Sequence, residues 1–440
     1  MYLHGTSRIN QIGHLEIGGC DTVHLAKEYG TPLFIYDEAY IRQKCHAFVS
    51  AFKQKGIQAQ VAYASKAFSC IAMCQLVEQE GMSLDVVSSG ELFTALKANF
   101  PAEKIHFHGN NKTADELEMA LEAKIGCYVV DNFYELELLH ELAKSRQQVV
   151  NILLRITPGV EAHTHEYITT GQEDSKFGFD LMNGQVRRAL EHAIQQPFYH
   201  VLGLHSHIGS QIFETDGFLL TIEKLADALD ELENELDWKL KVLNLGGGFG
   251  IRYREEDTPL ETKEYVYAIC DKVTEEWTKR GKNIPEIWIE PGRSIVGDAG
   301  TTIYSIGAQK EVPGVRKYIS VDGGMSDNLR VALYQAKYEA AIANRMSEVS
   351  EETYTVAGKL CESGDILIWD LNLPQVQQGD LLAVSCTGAY GYAMANNYNR
   401  IRRPSVLFVK DGEAFEVVRR ETFEDLIHND MPIRSEVPQK

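Results

Sequence analysis

Residues 201–246 decide the fold. Val201-Leu202-Gly203-Leu204-His205-Ser206-His207-Ile208 is a short, β-rich apolar run. Ile222–Glu235 follows with apolar residues at helical spacing, and Val242-Leu243-Asn244-Leu245-Gly246 is a second β-rich run. Strand, helix and strand in this order form the repeating unit of a parallel sheet. Reading outward, the unit recurs. Runs of the first kind stand at Ala59–Ala64, Leu84–Ser88, Ile105–Gly109, Cys127–Asp131, Val149–Ile156 and Ile287–Glu290. Helical periodicity fills the gaps at Ala114–Ala123, Glu135–Ala143, Val186–Ile194 and Glu264–Arg280. Eight such units over about 250 residues are the number expected of a (β/α)8 TIM barrel. An open doubly wound sheet is the alternative that alternation alone leaves standing.

After Arg293 the pattern changes. Thr301–Ala308, Lys317–Val321, Thr353–Val356, Asp380–Val384 and Ser405–Val409 are β-like, with turn signals at Asp322-Gly323-Gly324, Ser363-Gly364-Asp365 and Lys410-Asp411-Gly412. These predict an all-β second domain of sandwich or barrel type, with one helical insert at Ser326–Ala343. Leu33–Tyr36 precedes the first barrel helix and can add a strand to it. The expected organisation is an N-terminal segment 1–36 joining the β domain, a barrel at 37–295, and the β domain at 296–440.

Composition narrows the function classes. The 440 residues carry 43 Lys and Arg against 63 Asp and Glu, a formal charge of −20. That balance argues against nucleic acid or an anionic membrane as partner. No apolar run approaches the ~20 residues of a bilayer span, and residues 1–19 lack the apolar centre of a signal peptide. The eight cysteines are scattered without a Cys-x-x-Cys pair, which reads as reduced thiols in the cytoplasm.

Barrel enzymes place their chemistry at the C-terminal ends of the strands. The first strand ends in Tyr63-Ala64-Ser65-Lys66-Ala67-Phe68. Lys66 there is either a solvated amine or a desolvated one able to form a Schiff base. His205 and His207 share one face of the sixth strand. They suit either an aromatic platform for a flat cofactor or a metal pair, for which His106/His108 and His163/His165 are the further candidate ligands. The seventh strand runs into Gly246-Gly247-Gly248-Phe249-Gly250. Its spacing is not that of a dinucleotide fingerprint, and it suits an anion held by backbone N–H groups. The eighth ends in Glu290-Pro291-Gly292-Arg293, bringing a carboxylate and an Arg fork to the same mouth. A Schiff-base Lys, a phosphate cradle, a His platform and a carboxylate for a pyridine nitrogen together describe a pyridoxal-phosphate site. No metal is expected in it.

With these residues in place, the chain resembles the fold-type III pyridoxal-phosphate decarboxylases over essentially its whole length. The motifs are the Lys66 segment Tyr63–Phe68, Leu84–Glu91, Ser175-Lys176-Phe177-Gly178, His207-Ile208-Gly209-Ser210-Gln211, Gly246–Gly250, Glu290–Arg293, Gly358–Asp365, and Gly388-Ala389-Tyr390 leading to Asn396-Asn397-Tyr398-Asn399. The resemblance implies that Lys66 carries the cofactor as a Schiff base, His207 stacks on its ring and Glu290 pairs with the ring nitrogen. Ser210, Gly247, Gly248, Gly292 and Arg293 would surround the phosphate, with Tyr390 closing it. It also implies a homodimer with shared active sites, in which Cys361 and Glu362 act on the neighbouring chain's cofactor. Cys361 would return a proton, in competition with Lys66, and Glu362 would bind a distal amine. Arg330 and Tyr334, four residues apart, would hold a distal carboxylate together with Arg293 and Tyr390. A substrate with both groups at its far end is meso-diaminopimelate, whose decarboxylation gives L-lysine. The alternatives are a carboxynorspermidine or basic-amino-acid decarboxylase, a non-catalytic regulatory homologue, and a metal hydrolase. Two departures from the family pattern, Phe68 for Asn and Val331 for Pro, touch no reacting group. The role of Asp85 is left open.

Overall fold

The computed structural model describes residues 1–160 and 175–433. They divide into two compact units.

The first unit comprises Met1–Thr6, Tyr36–Thr301 and Ser385–Ala393. Its eight strands are β1 (Ala59–Ala64), β2 (Ser83–Val86), β3 (Ile105–Phe107), β4 (Cys127–Val130), β5 (Val150–Thr157), β6 (Tyr199–Ser206), β7 (Val242–Asn244) and β8 (Glu286–Ile289). Each pairs in parallel with the next. β8 also pairs with β1, which closes the sheet into a TIM barrel. The open-sheet alternative is thereby excluded. β2, β3 and β4 are buried along their whole length, as expected of strands covered on both faces. Several of the helices start at side-chain caps that the sequence supplies. Thr113 and Glu116 form a capping box at Ala114–Ala123, and Asn132 Oδ1 accepts from Glu135 N at 3.0 Å at the start of Phe133–Ser145.

Register decides which side chains meet. His205 on β6 is level with Arg155 on β5 and Asn244 on β7. Ala64 on β1 is level with Asp85 on β2. Polar groups from different strands therefore reach one depth near the strands' C-terminal ends.

The second unit comprises Ser7–Ile35, Thr302–Val384 and the chain from Met394 onward. It is mainly β. The sheet order is Ile366–Leu373, Glu352–Ala357, Arg316–Val321, Gly300–Val312, Leu33–Asp37, Ser405–Lys410, Glu413–Val418. The N-terminal strand Leu33–Asp37 thus takes an interior place in this sheet. Asp411 and Gly412, at φ 54° and 85°, make the two-residue turn of the last hairpin.

The predicted helix at Ser326–Ala343 does not form as such. Only Arg330–Tyr334 is helical, and Ala340–Ile342 is a strand paired with Leu381–Val384. Local turn chemistry wins at both ends. Asp327 Oδ1 accepts from Gly324 N at 3.0 Å, and Gln335 sits at φ 51°, where the helix stops. The unit also holds two helices the periodicity did not reveal, Thr22–Tyr29 and Phe423–Ile427.

Candidate active site

Glu290 is the centre of the barrel mouth. It follows β8, its backbone N–H donates to Gly246 O at 2.8 Å, and its side chain is 5% exposed. Asn244 Nδ2 donates to Oε1 at 2.6 Å. His205 Nε2 lies 3.2 Å from Oε2, and His108 Nε2 lies 3.0 Å from Oε1. Burial opposes a charge here. The two imidazoles beside the carboxyl more than offset it and hold Glu290 well below the usual carboxylate range. The group is an anion at neutral pH.

Asp85, on β2, goes the other way. Burial, with Glu290 nearby, pushes it up to about 6, against the pull of His108 and Lys66. His108 Nε2 stands 3.7 Å from its Oδ1. Two carboxyls in one mouth thus have opposed tendencies, a pattern that marks working sites.

Lys66 follows β1 in a single turn, Ser65–Ala67, between two buried neighbours. Its own side chain is exposed. Its charge reaches the site nonetheless. Burial, then Lys66 and Arg155, depress His207 well below the ordinary histidine value. His207 Nδ1 accepts from Gly247 N at 3.2 Å, which leaves the proton of the neutral ring on Nε2. His205 is pushed down by burial as well.

Arg293 opens the short helix Arg293–Val296 after Gly292. Its guanidinium is buried, donates to Ser210 Oγ at 2.9 Å and Tyr253 OH at 2.6 Å, and lies 5.0 Å from the Tyr390 ring. Tyr390 is anchored by its N–H to Ala67 O at 2.9 Å. A Cβ on Gly247 would come 2.1 Å from Glu290 O. One on Gly248, at φ 108°, would come 2.4 Å from Gly209 O. Only glycine lets these loops close up. Arg293 Nε is a buried donor without a partner among the described residues. An Arg fork, a hydroxyl and a glycine cradle fit a phosphate, and the Glu290 anion fits a protonated pyridine nitrogen.

The remaining expected residues lie in the second unit. Arg330 is buried and donates to Tyr338 OH at 2.7 Å, so its aromatic neighbour there is Tyr338. Tyr334 is half-buried at the end of the same short helix. Cys361 and Glu362 are exposed on the loop joining Glu352–Ala357 to Ile366–Leu373. The buried Asp365 carboxyl organises that loop, accepting from Leu360 N at 2.9 Å and Met325 N at 2.6 Å. Cys361 N donates to Asn399 Oδ1 at 2.8 Å.

The metal alternative is answered in part. His108, His205 and Glu290 have ligand atoms within 4.8 Å of one another. His163 and His165 lie outside the described residues. His106 faces elsewhere: it stacks on Trp288 at 4.2 Å and meets Gln60 Oε1 at 3.2 Å. Asn244 carries no motif that marks it in the sequence, and His108 stands out there only as a candidate metal ligand. The strand-end rule that singled out Lys66 applies equally to His108, one residue past β3.

The model for the pyridoxal-dependent decarboxylase, pyridoxal binding domain, matches residues 38–297. The chain is 64% identical to the diaminopimelate decarboxylase of Bacillus subtilis (strain 168), with all of both chains covered. The chain belongs to the diaminopimelate decarboxylases, within the pyridoxal-dependent decarboxylase family. Staphylococcus aureus (strain COL) diaminopimelate decarboxylase is 48% identical over 97% of this chain and 99% of its own. Among solved structures, the M. jannaschii diaminopimelate decarboxylase in complex with L-lysine has a TM-score of 0.90 at 36% identity. It covers 97% of this chain and 98% of that one. A lysine/ornithine decarboxylase from Vibrio vulnificus, at 22% identity and a TM-score of 0.75, shares the fold.

Proposed function

We infer that the chain decarboxylates meso-2,6-diaminopimelate to L-lysine and carbon dioxide, with pyridoxal phosphate as cofactor. The observation that carries the reaction class is the buried Glu290, kept anionic by two histidines and an asparagine at the barrel mouth. The substrate follows from full-length kinship with diaminopimelate decarboxylases. Pyridoxal phosphate, when bound, supplies the sink for the electron pair left as carbon dioxide departs. Glu290 would keep the ring nitrogen protonated, His207 would back the ring, and Arg293, Ser210, Gly247, Gly248, Gly292 and Tyr390 would hold the phosphate. Lys66 would be the amine that holds the cofactor. Arg330 and Tyr334 take the distal carboxylate and Glu362 the distal amine.

Cys361 and Glu362 come from the partner subunit of a homodimer, so that each site needs two chains. We read residues 37–295, joined by the segment Ser385–Ala393 that carries Tyr390, as the cofactor domain, and the rest of 296–440 as the source of substrate and dimer contacts. Eight free thiols, seven of them buried, support a cytoplasmic setting. Among the described residues, no helix is long and apolar enough to cross a membrane. The test is a comparison of kcat/KM for meso-diaminopimelate, ornithine and arginine with cofactor supplied. Preference for diaminopimelate by several orders of magnitude is expected. Equal or better use of ornithine would move the chain to the basic-amino-acid class.

A further inference from the structure

Glu290 is buried, and a buried anion needs donors fixed around it. Two of its neighbours, His205 and Asn244, lie on adjacent strands at one register. The third, His108, comes from β3, across the barrel. His108 leaves β3 with its N–H on Val86 O at 2.8 Å, and its side chain is 5% exposed. Its Nε2 stands between Glu290 Oε1, at 3.0 Å, and Asp85 Oδ1, at 3.7 Å. Its ring meets that of His205 edge-on, 4.9 Å between centroids.

The backbone that carries His108 is held by a second buried feature. Lys112 Nζ donates to Gly109 O at 2.9 Å, Val129 O at 2.8 Å and Glu135 Oε1 at 2.8 Å. Both side chains of this ion pair are 1% exposed. Glu135 Oε2 accepts from Asp131 N at 2.9 Å. A buried pair of this kind is poor evidence of stability, since desolvation opposes it. What it does here is tie the residue after His108 to the end of β4.

We propose that His108, on a strand end clamped by Lys112 and Glu135, is a positioning residue that holds the Glu290 carboxylate in place for the cofactor's ring nitrogen. The proposal rests on the reading of Glu290 given above. It predicts coupling between His108 and Glu290 that a merely packed histidine would not show.

The test is pyridoxal-phosphate affinity, by titration of apoenzyme, in wild type, His108→Leu, His108→Gln, Glu290→Gln and the His108→Leu/Glu290→Gln double variant. Thermal unfolding of each is followed in parallel. His108→Leu is expected to weaken cofactor binding roughly tenfold and to lower kcat with KM little changed. His108→Gln, whose amide can donate to Oε1, is expected to recover most of the loss. In the Glu290→Gln background, His108→Leu should add nothing. An equal loss in both backgrounds would overturn the proposal while leaving the role of Glu290 intact. A Glu290→Gln protein that binds cofactor and turns over like wild type would instead overturn the reading beneath it, and the proposal with it.

Discussion

At the residue scale the barrel mouth is an exercise in setting charge by surroundings. Glu290 is buried yet anionic because imidazoles face both of its oxygens. His106, on β3, is buried and is pushed down to about 3 by burial, with His108 adding to the effect and the more weakly felt Glu290 opposing it. This has a consequence for stability. Unfolded, His106 titrates near 6.5. Between that value and about 3 the unfolded chain binds a proton that the folded chain does not. Acidification through this window therefore favours unfolding. His205 and His207, also depressed, act in the same direction. Denaturant unfolding from pH 7 to pH 4 should show stability falling with pH, and a His106→Gln variant should show a shallower fall. An unchanged slope would mean that His106 keeps its ordinary value in the folded chain.

At the element scale, the strands of the barrel were legible because each is a short apolar run buried on both faces and bounded by turn residues. The turns at Asp411-Gly412 and Gly246–Gly248 were legible for the same local reason. The helix expected at Ser326–Ala343 was not, because an Asp327 turn and a residue at positive φ cut the pattern short. The roles of His108 and Asn244 were hidden for a different reason. Their partner Glu290 is distant in sequence, and only closure of the barrel joins them. Glycine spacing, by contrast, carried its meaning on its face. Gly248→Ala places a Cβ 2.4 Å from Gly209 O at a φ of 108°. Backbone strain of about 1–3 kcal/mol should move the loop. We expect tenfold or weaker cofactor binding with the fold retained, read by cofactor titration and circular dichroism. Wild-type affinity would remove this loop from the phosphate site.

At the scale of the whole molecule, the proposed site is completed by a second chain. Lys66→Ala and the double variant Cys361→Ala/Glu362→Ala should each be nearly inactive alone. Mixed after dissociation and reassociation, they should recover about a quarter of the wild-type rate, since half of the dimers are mixed and each holds one intact site. No recovery from demonstrably mixed dimers would place Cys361 and Glu362 on their own chain's cofactor. The proposed chemistry turns on the Glu290 anion. The most direct measurement is the rate of lysine formation from meso-diaminopimelate by Glu290→Gln with cofactor saturating. A fall of about a hundredfold or more, from protein that still holds its cofactor, is the expected result. Turnover within a fewfold of wild type would contradict the account.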